Sequence, residues 1–141
     1  MQEISAGGVV YKKIQGRLMI ALIARKHRTV LCLPKGKIER GESPREAARR
    51  EVKEEINIDA RIVKKLAAIH YQYERDNAKI YKTVHYFLMR YQKGAIKGQR
   101  IETDGARWYA IDAALAAMSF KGEIATVRKA KIALKRLKTN D

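Results

Sequence analysis

Short apolar stretches separated by turn residues recur along this chain, and they predict the strands of a sheet. Residues 3–13, 18–24 and 31–33 are largely apolar, and segments of that length and composition are typical of strands. Residues 60–74 and 79–92 form two longer segments of the same kind, with a short polar turn between them. We expect those two to be a pair of long strands.

The charged stretch at residues 43–57 predicts a helix, because residues that typically begin and end helices lie at its two ends. Ser43 is a natural N-cap, Pro44 suits the first helical position, and Glu46 completes a capping box with Ser43. Asn57 tolerates the left-handed backbone conformation that ends a helix. We therefore expect a helix from Pro44 to about Ile56.

The C-terminal third predicts a loop at 94–105, a strand at 106–109, a short helix at 111–117 and a last helix at 121–138. The last helix carries an apolar stripe, and its other faces hold many Lys and Arg side chains. A solvated helix surface is the more common explanation of such a pattern, and a nucleic-acid surface is the alternative.

Three carboxylates dominate the chemistry of the first helix. Glu51, Glu54 and Glu55 fall within an arc of about 100° on an ideal helix. Carboxylates held that close repel each other unless a cation lies among them, and hard oxygen ligands suit Mg²⁺ or Mn²⁺. Arg50 directly precedes Glu51 and is placed to neutralise a glutamate. Taken alone, the run also fits a solvated helix with ion pairs along its surface.

The spacing of the preceding loop favours the metal interpretation. Residues 36–58 resemble the Nudix box, Gly-x5-Glu-x7-Arg-Glu-U-x-Glu-Glu-x-Gly-U, in which U is aliphatic. The matching residues are Gly36, Glu42, Arg50, Glu51, Val52, Glu54, Glu55 and Ile58. Asn57 replaces the final glycine, and this is a mild departure because both residues tolerate a positive φ.

The resemblance extends over the whole chain and implies one Nudix hydrolase domain at 1–141. The implied fold is an α/β (α+β) domain, in which a mixed central β-sheet is sandwiched between helices. The implied reaction is metal-dependent hydrolysis of a phosphoanhydride bond in a nucleoside diphosphate linked to another group. One to three Mg²⁺ or Mn²⁺ ions would neutralise the phosphates and activate the attacking water.

Several site residues follow from the resemblance. The implied metal ligands are Glu51, Glu54, Glu55 and the backbone carbonyl of Lys35. The implied catalytic residues are Glu54 or Glu102 as proton acceptor, with Arg50 and Glu42 holding loop and helix in register. Glu102 is assigned from its usual spacing before Trp108, and Asp104 is the substitute.

The lead-in to the box narrows the substrate class. Pro34 favours an extended residue before it, so we expect the strand to end there and a loop to begin. This Leu-Pro-Lys-Gly segment and the tyrosine-rich strands are similar to Nudix members that hydrolyse diadenosine tetraphosphate and related dinucleoside polyphosphates. The expected substrate-binding residues are Lys35, Lys37, Tyr71, Tyr73 and Lys82. Solvated lysines and tyrosines that only pack in the sheet are the alternative interpretation.

The charge of the chain agrees with an anionic substrate without naming it. The net charge is +16, and most of the excess lies outside the box. Such a field attracts nucleotides, polyphosphate or nucleic acid, although it also serves solubility. Rival substrates are nucleoside triphosphates, ADP-ribose and RNA 5′-triphosphate, and a non-catalytic nucleic-acid-binding module is the alternative from another class. RNA is a partner that we do not favour.

The remaining expectations concern the setting of the protein. No apolar run approaches the ~20 residues of a membrane span, and no signal peptide is visible at the N-terminus. Cys32 is the only cysteine, which excludes an internal disulfide and argues against a zinc cluster. We expect a cytoplasmic protein without a membrane partner, either a monomer or a homodimer.

Overall fold

The computed structural model describes residues 1–139, so Asn140 and Asp141 of the expected domain lie outside it. Seven strands form the sheet. They are β1 (Gln2–Ile14), β2 (Arg17–Arg25), β3 (Val30–Cys32), β4 (Lys35–Lys37), β5 (Asp59–Arg75), β6 (Ala78–Lys93) and β7 (Ala106–Ala110). The helices are α1 (Pro44–Ile56), α2 (Ile111–Ala117) and α3 (Lys121–Thr139).

The sheet is mixed, as the fold prediction requires. Its main path runs β3-β2-β1-β6-β5, while β4 pairs with β1 and β7 pairs with β2. The central pair β1 and β6 is parallel, and the other pairings are antiparallel. The chain crosses from β1 to its parallel partner β6 by way of α1 and the other intervening elements.

Helices cover both faces of this sheet because its central strands are apolar on both sides. On β1, Val10 belongs to the core that packs against α1, and its neighbour Val9 belongs to the core under α2 and α3. On β6, Met89 and Leu88 divide in the same way. This is the predicted arrangement of a mixed sheet between helices, and the fold expectation is confirmed.

The first helix begins and ends where its sequence predicts. The Ser43 hydroxyl accepts a hydrogen bond from the Glu46 amide at 3.1 Å, and the Glu46 carboxylate accepts one from the Ser43 amide at 3.1 Å. Asn57 ends the helix with φ 64° and ψ 31°. Both caps need only neighbouring residues, which is why local sequence predicts them well.

The segment after Pro34 differs from its prediction. In place of a loop, Lys35–Lys37 forms the short strand β4, which pairs antiparallel with residues Ser5 to Gly7 of β1. The pairing partner lies about 30 residues away in sequence, so nothing local in the Pro-Lys-Gly segment indicates it. Cys32 is buried. Within residues 1–139, no helix is long and apolar enough to cross a membrane.

Candidate active site

Arg50 joins the box loop to the box helix. Its Nε and Nη2 atoms donate to the two carboxylate oxygens of Glu42 at 2.6 and 2.9 Å, and Nη2 also donates to the Lys37 carbonyl at 3.0 Å. Its Nη1 atom donates to Glu51 at 2.7 Å and to Glu54 at 3.0 Å. Arg50 holds the pKa of Glu42 at about 2, below its ordinary 4.5. The Arg50–Glu42 pair therefore locks the loop onto the helix.

The three box glutamates meet at one place but differ in burial. Glu51 and Glu55 are buried, whereas 47% of the Glu54 side chain is exposed. Burial raises the pKa of Glu55 from 4.5 to about 7, although Arg25 and Arg100 act in the opposite direction. Two carboxylates buried beside a third, exposed one make a site of high negative charge density.

Gly36 allows the loop to approach these carboxylates. A Cβ atom built on Gly36 would overlap the carboxylate of Glu51. Any other residue there would displace the Glu51 carboxylate from its present position. The glycine at this position thus lets the backbone lie directly against the Glu51 carboxylate.

The backbone of Lys35 also faces the glutamates. Its amide donates to Glu55 at 3.2 Å. The β1–β4 ladder has backbone hydrogen bonds at Ile38 with Ile4 and at Gly8 with Pro34. Because hydrogen-bonded and non-bonded pairs alternate in an antiparallel ladder, the Lys35 amide and carbonyl both point away from β1. The Lys35 carbonyl is therefore on the edge that faces Glu55.

The side chains of Lys35 and Lys37 lie on the other face of β4, away from the glutamates. Gly36 faces Glu51, so alternation along the strand turns both lysines to the opposite side. There the Lys37 ammonium lies 3.4 Å from Glu3. Lys82 is the cross-strand partner of Glu3 on β6, and Tyr71 pairs with Lys82 from β5.

Glu3 is the centre of this second group, and sequence reasoning missed it. Its carboxylate accepts a hydrogen bond from the Tyr73 hydroxyl at 2.7 Å and pairs with Arg75 at 2.9 Å. The Tyr73 hydrogen bond is the largest of the interactions that lower the pKa of Glu3 to about 2. Burial lowers the pKa of Lys82, and the charge of Lys35 lowers it further. A buried glutamate at the start of a strand has no sequence signal that distinguishes it from a solvated one.

The expected substrate-binding residues therefore lie close together, but they differ in exposure and in the hydrogen bonds that they already make. The Lys35, Lys37 and Lys82 cations outnumber the acidic group among them. Tyr71 is 45% exposed, whereas the Tyr73 hydroxyl is already bonded to Glu3. The three lysine side chains thus lie on one side of β4, and the carboxylates of the box helix lie on the other.

Arg100 is the other residue that the sequence did not indicate. Its Nη2 atom donates to Glu51 at 2.7 Å and to Glu54 at 2.9 Å. The preceding Gln99 holds it there, because the Gln99 side-chain amide donates to the Lys53 and Glu54 carbonyls at the end of α1. Arg100 lies in an irregular loop, where no periodicity predicts the direction of a side chain.

Glu102 does not reach this cluster through any polar contact. It is exposed, and within residues 1–139 no hydrogen bond or ion pair joins it to the box glutamates. Asp104, the substitute, accepts a hydrogen bond from the Arg28 amide at 3.2 Å. Neither acid of the loop contacts Glu51, Glu54 or Glu55 in this structure.

The donor set suits a hard divalent cation, but three arginines pair with it in this structure. Three carboxylates and the Lys35 carbonyl provide oxygen ligands of the kind that Mg²⁺ and Mn²⁺ prefer. No group of three His, Cys, Asp or Glu residues in the described part of the chain is arranged to hold a metal as it stands. Arg50 and Arg100 lie against Glu51 and Glu54. Arg25 lies 3.4 Å from the third carboxylate, that of Glu55. The residues fit a metal site, provided that the Arg100 side chain moves away from Glu51 and Glu54.

A comparison with known families matches this arrangement. The profile of the NUDIX domain aligns with residues 1–129. The chain belongs to the NUDIX domain family. We refer to α1 as the Nudix helix, because it lies within residues 36–58, the segment that resembles the Nudix box.

One curated relative of this Nudix chain bears the name of a mutator protein. The chain is 35% identical over 117 residues to this protein of Mycobacterium tuberculosis, which carries the name mutator protein MutT4. That alignment covers 79% of this chain and 47% of the relative. The chain therefore spans about half the length of the curated relative that it matches.

Solved Nudix structures share the fold over nearly the whole chain. An Ap4A hydrolase of C. elegans, in a binary complex, superposes with a TM-score of 0.76 at 25% identity, covering 94% of this chain and 98% of that one. The NUDIX domain of Shewanella oneidensis NrtR, complexed with ADP ribose, gives a TM-score of 0.74 at 17% identity, covering 95% and 89%. At that lower identity, the likeness to NrtR concerns the fold alone.

Proposed function

We propose that this protein is a divalent-metal-dependent Nudix hydrolase that cleaves a phosphoanhydride bond in a nucleoside diphosphate linked to another group. The observation that carries the proposal is the meeting of Glu51, Glu54 and Glu55 around Arg50, beside the Gly36 backbone. Buried carboxylates at this density need cations beside them. Their oxygens suit a divalent metal as well as the arginines that lie against them in this structure.

Mg²⁺ or Mn²⁺ bound at this site would supply neutralisation of the phosphates and activation of a water. Glu51, Glu54, Glu55 and the Lys35 carbonyl would hold it. Arg50 fixes the rotamers of two of these carboxylates through its bonds at 2.7 and 3.0 Å. Such orientation by surrounding groups contributes strongly to metal affinity and rate.

The chain's own groups also handle the proton and the phosphate charge. Glu54 is the most exposed of the three box carboxylates, so it is the one best able to accept a proton from an attacking water. Glu102 remains the second candidate, and for that role the 94–105 loop must move. The Lys35, Lys37 and Lys82 cations would bind the phosphates that lie beyond the metal.

Within this chemistry we favour a dinucleoside polyphosphate such as diadenosine tetraphosphate. The basic group around Glu3 suits a chain of several phosphates, and the exposed Tyr71 ring is next to it for a base to stack on. The likeness to the C. elegans Ap4A hydrolase supports the same choice. Nucleoside triphosphates, ADP-ribose and RNA 5′-triphosphate are the rival substrates.

A substrate panel tests both levels of the proposal. Purified protein with Mg²⁺ is incubated with diadenosine polyphosphates, nucleoside triphosphates and ADP-ribose, and the products are separated chromatographically. We expect selective conversion of diadenosine tetraphosphate to ATP and AMP. The Glu54→Gln variant should lower this activity by ~100-fold or more, since mutation of residues that only orient metal ligands already lowers activity by 10–100-fold.

Other results of the panel have defined meanings. Faster turnover of another member keeps the chemistry and overturns the substrate. No turnover of any member with Mg²⁺ or Mn²⁺, together with metal-independent RNA binding, overturns the enzyme and favours a binding module. The buried glutamates oppose that alternative, because a binder of polyanions gains nothing from clustered negative charge.

A further inference from the structure

A cavity lies at the far end of the sheet from the basic group around Glu3. Its volume is about 820 Å³, and the ends of β1, β5 and β6 and parts of β2, α2 and α3 surround it. Arg90, in its lining, is eight residues along β6 from Lys82, which is roughly 26 Å of extended strand. The cavity is thus separate from the site proposed for hydrolysis.

The cavity opens on the face of the sheet that carries α2 and α3. Alternation along the strands places Arg90 on the same face as Leu88, and Lys13 on the same face as Val9. Both apolar residues belong to the core under α2 and α3, whereas α1 packs on the other face. The Nudix helix and this cavity therefore lie on opposite faces of the sheet.

Positive charge is concentrated in its lining. Lys12, Lys13, Arg17, Arg61, Arg90, Lys131 and Lys135 line the cavity, and Asp112 is the one acidic residue among the lining residues. Asp112 is already paired with Lys131 at 2.6 Å. Within residues 1–139, no carboxylate lies within ion-pair distance of Lys13, Arg17, Arg61 or Arg90.

Two of these cations are direct cross-strand neighbours. Arg61 of β5 and Arg90 of β6 are paired in register, and like charges directly opposite each other in an antiparallel ladder are destabilising. A folding role does not explain such a pair. An anion bound between them would relieve the repulsion.

The floor of the cavity is apolar. Leu18, Val63, Ile111 and Leu134 line it and extend the core under α2 and α3. Leu137 adds an apolar side chain that is 39% exposed. A volume within the usual ~300–1,000 Å³ of ligand sites, an apolar floor and a cationic rim together fit a phosphorylated molecule with an aromatic or apolar body.

We propose that this cavity is a second ligand site, distinct from the Nudix active site, and that it binds a molecule of the nucleotide class. The base lies on the apolar floor, and the phosphates contact Arg90, Arg61 and the neighbouring lysines. Phosphate contacts to several cations give affinity, while the apolar floor selects a nucleotide over a simple anion. Binding here needs neither a metal nor turnover, so this proposal stands apart from the proposed hydrolysis.

The test is a titration of the full chain with ATP in the presence of EDTA. Binding is monitored through the backbone-amide chemical shifts in NMR spectra. We expect saturable shifts at Leu18, Ala110 and Ala113, which line the cavity. Arg90→Glu should weaken this binding by about tenfold or more. The same variant should raise the Tm by about 1–3 °C at low salt, because it turns a like-charge pair into an opposite-charge pair.

Arg128→Glu is the matched control, since Arg128 is exposed on α3 outside the cavity lining. It makes the same change of net charge and should leave the ATP affinity within about twofold. Equal weakening by both variants would show a general charge effect and overturn the site. Shifts confined to the Nudix box would do the same.

Two further probes decide the ligand class. Inorganic triphosphate that binds as tightly as ATP would show that the apolar floor contributes nothing, which overturns the nucleotide assignment. Single-stranded RNA that binds more tightly than ATP and shifts amides along the whole of α3 would identify a nucleic-acid surface instead. Preference for ATP over both probes supports the proposal.

Discussion

The guanidinium of Arg100 lies 2.7 Å from the carboxylate of Glu51, at the position where the chemistry of the site calls for a divalent cation. It also contacts Glu54 at 2.9 Å. Arg100 thus acts as a counter-ion for carboxylates that would otherwise repel each other. The metal proposed above would compete with this guanidinium for the same oxygens, so its binding would require Arg100 to leave them.

This competition predicts that Arg100→Gln binds Mn²⁺ more tightly, by about tenfold. In EDTA the same variant should lose roughly 1–3 kcal/mol of unfolding free energy, less than for a fully buried pair because 33% of the Arg100 side chain is exposed. Titration calorimetry with Mn²⁺ and thermal unfolding with and without metal measure the two effects. Arg107→Gln, an exposed arginine nearby on β7, is the control. Unchanged or weaker Mn²⁺ binding by Arg100→Gln would refute the competition.

The five hydrogen bonds of Arg50 predict that lysine cannot replace it. Lysine has three donors around one atom and cannot reproduce a bidentate contact with Glu42 together with contacts to Glu51 and Glu54. We expect Arg50→Lys to lower kcat/KM by about 10–100-fold. Arg49→Lys, an exposed neighbour on α1, should change it by less than about twofold. Steady-state kinetics on the best substrate of the panel decide this, and equal effects of both variants would contradict it.

Lys82 is expected to act in substrate binding rather than in the chemical step. It lies beside Glu3 and Tyr71 on the far side of β4 from the glutamates. Lys82→Gln should therefore raise KM by about tenfold and leave kcat nearly unchanged, because it removes an interaction present in both ground and transition states. Lys129→Gln on the outside of α3 is the control. A fall in kcat with unchanged KM would place Lys82 in the chemistry instead.

The lowered pKa of Glu3 predicts that the folded protein loses part of its unfolding free energy in acid. Its folded pKa is about 2, below the ordinary 4.5, because Tyr73, Arg75 and Lys37 stabilise the carboxylate. A depressed folded pKa contributes stability above the unfolded value, and that contribution is lost as the pH falls from about 4.5 toward 2. Urea unfolding at pH 6, 4 and 3 should show a steeper decline for the native protein than for Glu3→Gln. Glu74→Gln, at an exposed position on β5, should decline like the native protein, and parallel curves for all three would contradict the assignment.

The Nudix helix and its box could be predicted from the sequence because the causes are local. Ser43 and Glu46 cap each other across three residues, and Asn57 ends the helix through its own backbone preference. The contact of Arg50 with Glu54 follows from helical i,i+4 spacing, and its contact with Glu42 follows from the spacing of the family motif. The long strands and the two C-terminal helices were likewise visible from hydrophobic periodicity.

Contacts between distant segments were decided only by the tertiary structure. The strand β4 forms because β1 offers an edge, and this pairing separates the Lys35 and Lys37 side chains from the glutamates. Glu3 is buried because Tyr73 and Arg75, about 70 residues later, bond to it. Arg100 reaches Glu51 because Gln99 caps a helix end about 45 residues earlier. Such pairings depend on how the sheet closes around its core, and hydrophobic period and local propensity carry no information about that.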